Sequence, residues 1–334
     1  MLLLEQDAKE LLAIQGIPIP GAIRLAQVPA VGPVEDDGKS GPWVVKPQIL
    51  SASAASAASA VIAMTNAEVA AAAAALLNNT IDGQTVRSVL VERQMTARGA
   101  AYLSFRCDPQ SAGIRIGIRA GDAALLSETV APDPTAVIAC VNRLSAALPV
   151  EARACVAEAG RMLAPLYFGY EAALLEIDPL TILPDGTWAV GDVRLAIDEN
   201  ALFRHPELIS LVDRRDYAYG DVRRLRAHGI DHRVLDPGGT VAAIAAGAGH
   251  CACLLDEMIA RGLRPHSFMD AGPAALDGAP ERLCAAIDWL AEAAPLRCVL
   301  LAAGDGAVDL AAFAGQLAGA LAQRPGFATP MVVR

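Results

Sequence analysis

The apolar residues follow a helical period at the start of the chain and strand-like runs after it. One face of a helix predicted over residues 3–15 collects Leu3, Leu4, Ala8, Leu11 and Leu12. Gly16 ends that helix. Residues 42–48 and 88–92 are short apolar runs that predict buried strands, and the alanine-rich segment 66–77 predicts a helix between them.

Strands and helices are expected to alternate in the last third of the chain. The predicted strands cover 238–244, 267–270, 297–302 and 330–333, and the predicted helices cover 251–261, 281–293 and 309–321. This order with short connections predicts an open parallel sheet of flavodoxin type. Before it, residues 102–108 and 114–118 predict paired strands, 132–166 two helices divided at Pro149, and the charged run 213–226 a solvated linker helix.

A hairpin is predicted over residues 174–193, with Pro184-Asp185-Gly186 as its loop. With Asp185 at the loop centre, Asp178 faces Asp192 on the opposite strand, and Glu176 points to the same face as Asp178. Directly opposed like charges destabilise a sheet, and a divalent cation such as Mg²⁺ would offset the repulsion. The alternative is a pair of frayed strand ends with solvated acids, in which Pro179 breaks the register.

Composition narrows the function classes. At 334 residues and 54% apolar content, two or three domains with ample cores are expected, built mostly from aliphatic residues because only 4% are aromatic. A net charge of −10 argues against binding to nucleic acid or an anionic membrane surface. Seven scattered cysteines predict reduced thiols, and no segment reads as a signal peptide or membrane span. We therefore expect a soluble, cytoplasmic protein.

Lysine is rare in this chain. Only Lys9, Lys39 and Lys46 occur among 27 basic residues. Lys46 ends an apolar strand, where a compact ammonium could bind phosphate. The alternative is a strand-end lysine that extends to solvent.

The hairpin, together with Asn200-Ala201-Leu202-Phe203-Arg204 after it, resembles the β subunit of succinyl-CoA synthetase, an ATP-grasp acid–CoA ligase. That family has an E-I-N-P-L strand, a return strand with a metal-binding Asp, and then G-N-A-L-F-R. The resemblance covers nearly the whole chain and implies an α/β protein, an α+β ATP-grasp unit plus a flavodoxin-like parallel-sheet domain. It assigns 1–20 and 96–226 to the large ATP-grasp subdomain, 21–95 to the small lid subdomain and 227–334 to the flavodoxin-like domain.

The same resemblance implies a site for ATP and Mg²⁺. Asp178, where the family has Asn, and Asp192 would hold the metal, and Lys46 would contact the α- and β-phosphates. Glu176 would be catalytic, facing a phosphohistidine. The hinge that contacts adenine would be formed by Glu92, Arg93, Gln94 and Met95.

The resemblance also implies a partner. The phosphohistidine belongs to an α-like CoA-binding subunit, so CoA would bind on the partner and the chain alone would be inactive. The reaction expected is ADP-forming activation of a small carboxylic acid in a heterodimer, as in the tricarboxylic acid cycle. No contact with nucleic acid or a membrane is expected.

Several segments depart from the family pattern. A serine and alanine run at 51–60 replaces a glycine-rich phosphate loop, and Ala100 replaces a ribose-binding Glu. Asp270–Ala274 and Gly304–Gly306 replace two glycine loops, and the chain ends at Arg334, where the family runs on. A catalytically degenerate β-like subunit, acting as scaffold or regulatory binding partner, is therefore the alternative. A stand-alone carboxylate–amine ATP-grasp ligase is a third possibility, which the C-terminal sheet domain weakens.

Overall fold

The computed structural model describes residues 1–25, 41–51, 58–272, 280–293, 296–302 and 309–334. The chain divides into two compact units, Met1–Leu211 and Val212–Arg334. In the first unit the elements are α1 (Glu5–Ile14), β1 (Ala22–Leu25), β2 (Trp43–Pro47), β3 (Val61–Ala63), α2 (Asn66–Leu76), β4 (Thr80–Ile81), β5 (Gln84–Thr85), β6 (Val89–Arg93), β7 (Gly99–Asp108), β8 (Gly113–Ala120), β9 (Leu126–Val130), α3 (Pro134–Ser145), α4 (Val150–Gly169), β10 (Ala172–Ile182), β11 (Trp188–Val190), β12 (Val193–Ile197) and a 3₁₀ helix (Glu199–Arg204).

Helix α5 (Pro206–Arg214) spans the division between the units. The second unit continues with α6 (Gly220–His228), β13 (Asp231–Val234), β14 (Val241–Ala245), α7 (Ala248–Ala260), β15 (Pro265–Asp270), α8 (Pro280–Glu292), β16 (Cys298–Ala302), α9 (Leu310–Ala322) and β17 (Met331–Val333). The mixed α/β class expected from the sequence is confirmed.

The smaller sheet of the first unit is antiparallel, in the order β1-β6-β2-β3. Helix α2 packs against it and closes a core that includes Val45, Ala73 and Val91. The helix begins where the side chain of Thr65 accepts a hydrogen bond from the amide of Glu68. The Glu68 carboxylate accepts in turn from the amide of Met64. The two hydrogen bonds together cap the N-terminus of the helix.

The larger sheet runs β11-β10-β7-β8-β9, with β12 also paired to β10. One face is covered by α3 and α4, and its side chains are fully buried, as for Phe105, Ile116 and Ile177. Alternation then places polar residues such as Ser104 and Glu176 on the opposite face. The first unit therefore offers a polar sheet face beside the hairpin.

The predicted hairpin register is confirmed. Leu180 pairs with Val190 and Ile177 with Val193, a register in which Asp178 stands opposite Asp192. The Asp178 amide donates to the Asp192 carbonyl at 3.2 Å. The bulge that Pro179 causes falls on the side facing β7, so the pairing with the return strand continues past it.

The second unit holds a five-stranded sheet in the order β13-β15-β14-β16-β17. The four strands predicted from the sequence are parallel and follow the flavodoxin order. Strand β13 was not predicted, and it pairs antiparallel with β15 at the edge. Its sequence, Asp-His-Arg-Val, lacks an apolar run, because an edge strand needs few buried side chains.

The prediction of one solvated linker helix over 213–226 was wrong. Helix α5 ends at Arg214, and α6 begins at Gly220 after a left-handed residue, Tyr219, with φ 58°. The guanidinium of Arg223 donates to the carbonyls of Val212, Asp216 and Ala218 at 2.6 to 3.0 Å. Because this side chain hydrogen-bonds carbonyl groups at the end of α5 and in the turn after it, it holds the connection between α5 and α6 in place.

Among the described residues, no helix combines the length and the apolar character that a membrane crossing requires.

Candidate functional site

A cavity of about 320 Å³ lies within the first unit. Most of its walls come from β2, from the end of β6 with the segment after it, and from β10 with the turn that follows β11. The lining residues are Pro20, Val44, Lys46, Ala60, Glu92, Arg93, Gln94, Met95, Ala97, Asp178, Pro179, Thr181, Gly191 and Asp192. The lining therefore combines charged side chains with apolar ones such as Val44 and Met95.

Seven of the eight site residues predicted from the sequence line this cavity. They are Lys46, Glu92, Arg93, Gln94, Met95, Asp178 and Asp192. Glu176 is not among the lining residues. The roles assigned to these residues remain predictions, but their proximity is an observation.

Lys46 is held by three acceptors. Its Nζ lies 2.6 Å from Glu5 Oε1, 2.9 Å from Glu92 Oε2 and 2.7 Å from the carbonyl oxygen of Gly191. Although burial disfavours the ammonium, the carboxylates of Glu5, Glu92 and Asp192 raise the pKa of Lys46 above its usual value. Lys46 therefore carries a positive charge at the cavity wall, where it is bound by acceptors of the chain and does not extend to solvent.

A second lysine completes the same network. Lys9 Nζ lies 2.8 Å from Glu5 Oε1, 2.6 Å from Glu92 Oε1 and 2.9 Å from the Gly191 carbonyl oxygen. Burial would raise the pKa of Glu5, but the two ammonium groups outweigh it, and the pKa is lowered. The spacing of Glu5 and Lys9, together with the rarity of lysine, was the available signal for this pair.

The segment after β6 offers fewer free backbone groups than the adenine hypothesis assumes. The Arg93 amide donates to the Gly21 carbonyl at 3.2 Å, and the Gln94 amide donates to the Pro42 carbonyl at 3.0 Å. The Arg93 guanidinium lies over the Trp43 ring, 4.5 Å from its centroid. The amides of Arg93 and Gln94 are therefore already bound to acceptors within the chain.

The two hairpin aspartates have different surroundings. Burial raises the pKa of Asp192 to about 6, and the charge of Glu5 adds to this while Lys46 and Lys9 oppose it. Asp178 is about half exposed and lies 3.5 Å from the guanidinium of Arg119. Burial also raises the pKa of Asp178. Asp192 thus belongs to the lysine network, whereas Asp178 faces the open side of the sheet.

The fit of this pair to a magnesium ion depends on what else is nearby. Mg²⁺ is commonly bound by one or two protein carboxylates together with phosphate oxygens and water. Asp178 and Asp192 supply two such carboxylates at one cavity. Within the described ranges, no group of three or more His, Cys, Asp or Glu side chains is placed to bind a metal by itself. The donor set therefore fits a metal that arrives with a phosphate ligand.

Glu176 takes part in a different cluster. Its carboxylate accepts from Arg194 at 2.9 Å and from the Tyr102 hydroxyl at 2.9 Å. Burial and the contact with Glu176 raise the pKa of Tyr102. The third carboxylate expected beside the aspartates is therefore neutralised by Arg194, on the polar face of the larger sheet.

The segments that depart from the family pattern are only partly described. Residues 52–57, 273–274 and 304–306 lie outside the described residues. The Asp270 carboxylate accepts from the amides of Gly247 at 2.8 Å and Gly272 at 2.9 Å. Two amides that could bind a phosphate in the second unit therefore already have an anionic acceptor of the chain itself.

Comparisons with known proteins agree with these observations. The chain is 31% identical over 300 residues to a succinate–CoA ligase [ADP-forming] subunit beta 1 of Archaeoglobus fulgidus, covering 85% of this chain and 77% of that protein. It is 30% identical over 288 residues to the corresponding subunit of Chloroflexus aurantiacus, covering 81% and 74%. The chain belongs to the succinate–CoA ligase β-subunit family.

This family includes proteins named for different nucleotides. The chain is 29% identical over 282 residues to a succinate–CoA ligase [GDP-forming] subunit beta of Thermus thermophilus, covering 80% of this chain and 73% of that protein. No model from a collection of protein families matches the chain.

A solved structure shares the fold of this chain. An ATP citrate lyase from Methanothrix soehngenii matches 100% of this chain and 89% of its own, with a TM-score of 0.68 and 17% identity. Members of the succinate–CoA ligase β family are thus similar to this chain in sequence, and the lyase is similar in fold.

Proposed function

We propose that this chain is the β-type subunit of an ADP-forming acid–CoA ligase and binds Mg-ATP in the cavity of the first unit. The observation that carries the proposal is the convergence of Lys46, the Glu92–Met95 segment, Asp178 and Asp192 on one 320 Å³ cavity. Names of the relatives point to the same class of reaction. Residues 21–95 would act as the lid, 1–20 with 96–226 as the large subdomain and 227–334 as the flavodoxin-like domain.

The residues of the cavity have distinct roles in this proposal. Lys46 binds the α- and β-phosphates, and Glu92 to Met95 surround the base, with Met95 against its face. Asp178 and Asp192 hold Mg²⁺, which neutralises phosphate charge when bound. The contribution of this chain is positioning and charge neutralisation, since none of its own residues forms a covalent bond to the transferred group.

The chemistry continues on a partner. The γ-phosphoryl group passes to a histidine nitrogen of an α-like subunit and leaves ADP behind. Glu176 orients that phosphohistidine, whose phosphoryl group then passes to a small carboxylic acid on the CoA-binding partner and regenerates the histidine. The CoA thiol attacks the resulting acyl phosphate, forms the thioester and releases inorganic phosphate. The chain is accordingly active only in a heteromeric complex, for which we propose the cytoplasm.

Titration calorimetry with Mg-ATP tests the nucleotide part. We expect measurable binding by the purified chain that is lost in Asp192→Ala and kept in Asp122→Ala, an exposed acid outside the cavity lining. Turnover should require a co-purified α-like subunit. If neither the purified chain nor its complex with the α-like subunit gave binding heat with Mg-ATP, the proposal would be rejected.

A scaffold or regulatory role is the second candidate. The Asp270 carboxylate already occupies the amides of Gly247 and Gly272, and Ala100 has no group for a ribose hydroxyl. Under this alternative the chain would bind the α-like partner without binding Mg-ATP. The same calorimetry, combined with a pull-down of the partner, separates the two candidates.

A further inference from the structure

Two lysines share one set of acceptors next to the proposed phosphate site. The ammonium groups of Lys9 and Lys46 both contact the Glu5 carboxylate, the Glu92 carboxylate and the Gly191 carbonyl oxygen, at 2.6 to 2.9 Å. A single lysine would be enough to give each acceptor a donor. The acceptors would therefore still have a donor if one of the two lysines moved away.

Only one of the two lysines can reach a ligand. Lys9 has a side chain 3% exposed and is not among the described residues that line the cavity. Lys46 is 14% exposed and lines it. Glu5 and Glu92 are 11% and 3% exposed, so neither can turn to water for a replacement donor. If Lys46 left its acceptors, Lys9 would remain in contact with both.

The charge of the cluster makes this second lysine necessary for an anionic ligand. Glu5, Glu92 and Asp192 are three acids around two ammonium groups. Without Lys9, Lys46 would face all three acids by itself and would be held more strongly. The cavity wall would also become more negative, which opposes the approach of a polyphosphate.

We propose that Lys9 is a positioning residue that substitutes for Lys46 at Glu5, Glu92 and the Gly191 carbonyl, and so releases Lys46 to bind the nucleotide phosphates. Lys9 does not contact the nucleotide. It keeps the buried carboxylates neutralised while the charge of Lys46 moves into the cavity. The proposal rests on the proposed function, because it takes a polyphosphate as the ligand of Lys46.

The positioning role of Lys9 predicts how strongly Lys46 is held in three variants. In Lys9→Met, a side chain of similar length loses the charge, and Lys46 becomes trapped by the acids. In the double variant Lys9→Met/Glu5→Gln, one acid is removed as well, and the charge balance returns. Glu5→Gln alone keeps both ammonium groups and removes one negative charge, so Lys46 is held less strongly than in the wild type.

The first measurement is calorimetry of Mg-ATP binding to the full chain. We expect Lys9→Met to bind at least about tenfold more weakly, the double variant to return to within about threefold of wild type, and Glu5→Gln to bind more tightly. Arg143→Gln, which removes an exposed positive charge of α3, is the matched control. Wild-type affinity in Lys9→Met, or no recovery in the double variant, would overturn the proposal.

Two further measurements test the role of Lys9 if Lys9→Met does not fold or if the wild type does not bind Mg-ATP. If Lys9→Met does not fold, Glu5→Gln decides, because weaker binding in that variant contradicts a trapped Lys46. If the wild type binds no Mg-ATP, the proposed function fails, and acylation of Lys46 by acetic anhydride decides the role of Lys9. We then expect the Lys46 rate, relative to Lys39, to fall about tenfold in Lys9→Met and to recover in the double variant. An unchanged rate would overturn the proposal.

Discussion

The ammonium groups of Lys9 and Lys46 donate to the same backbone carbonyl, that of Gly191, at 2.9 and 2.7 Å. Lys9 belongs to α1, Lys46 to β2, and Gly191 lies in the break between β11 and β12. Three segments far apart in the sequence are thus joined at one point on the cavity wall. Ion networks of this kind add little net stability, but removal of one member is costly because it leaves a buried charge without its partner.

Lys46→Met should therefore lower both stability and nucleotide binding. We expect a loss of about 1–2 kcal/mol in the free energy of unfolding, less than for a buried acid left with no donor, because Lys9 still contacts Glu5 and Glu92. Urea denaturation measures it. Arg115→Met, which removes an exposed ion pair with Asp108, should cost less than about 1 kcal/mol. Equal urea midpoints for Lys46→Met and wild type would contradict the buried network.

Asp192→Asn should stabilise the metal-free protein at alkaline pH. The pKa of Asp192 is raised from 3.8 to about 6, so its ionised form is disfavoured in the folded state. The resulting penalty, up to about 3 kcal/mol, is fully present above pH 6 and shrinks as the pH falls from 6 toward 4. Urea denaturation in EDTA at pH 8 and pH 5 should show Asp192→Asn more stable at pH 8 and less so at pH 5. A pH-independent difference would refute this.

The sequence was sufficient for the architecture because each element carries its own periodic pattern. The hairpin register followed from the loop centre at Asp185, since pairing has a period of two and Gly186, with φ 84°, fits the turn. The parallel sheet of the second unit followed from strand and helix alternation. The edge strand β13 was not predicted because three of its four side chains are polar or charged.

The site was harder to predict because its charges are contributed by distant segments. Lys46 was predicted as a phosphate ligand, and nothing in the sequence indicated that its ammonium is also bound to Glu5 and Glu92. No local pattern reports that Lys9 meets Glu92 across 83 positions. The same applies to Glu176, whose neutralisation by Arg194 and contact with Tyr102 depend on the pairing of three strands.

Gly191→Ala should disturb the cavity through the hairpin backbone. A Cβ at Gly191 would lie 2.8 Å from the carbonyl oxygen of Pro179 and 2.9 Å from Thr181 Oγ1, closer than real Cβ atoms approach. The strand must shift, and the carbonyl shared by the two lysines shifts with it. We expect a loss of about 1–3 kcal/mol in unfolding free energy, measured by urea denaturation, and weaker Mg-ATP binding.

Gly169→Ala is the matched control for that variant. Gly169 ends α4, and a Cβ there would meet no atom within 4 Å. Its stability should equal or exceed that of wild type, because alanine favours the helix. If Gly191→Ala behaved in the same way, the close packing against Pro179 would not constrain the hairpin.

Glu176→Gln should lower turnover in the complex with an α-like partner. The carboxylate is nine-tenths buried, accepts from Arg194 and Tyr102, and lies on the polar face of the larger sheet rather than in the cavity lining. A role in orienting the phosphohistidine predicts a decrease of about 100-fold in kcat with little change in the KM for ATP. Steady-state kinetics with ATP varied at saturating acid and CoA measure both constants. Glu151→Gln, an exposed acid in the first turn of α4, serves as the control. A rise in KM at constant kcat would instead assign Glu176 to nucleotide binding.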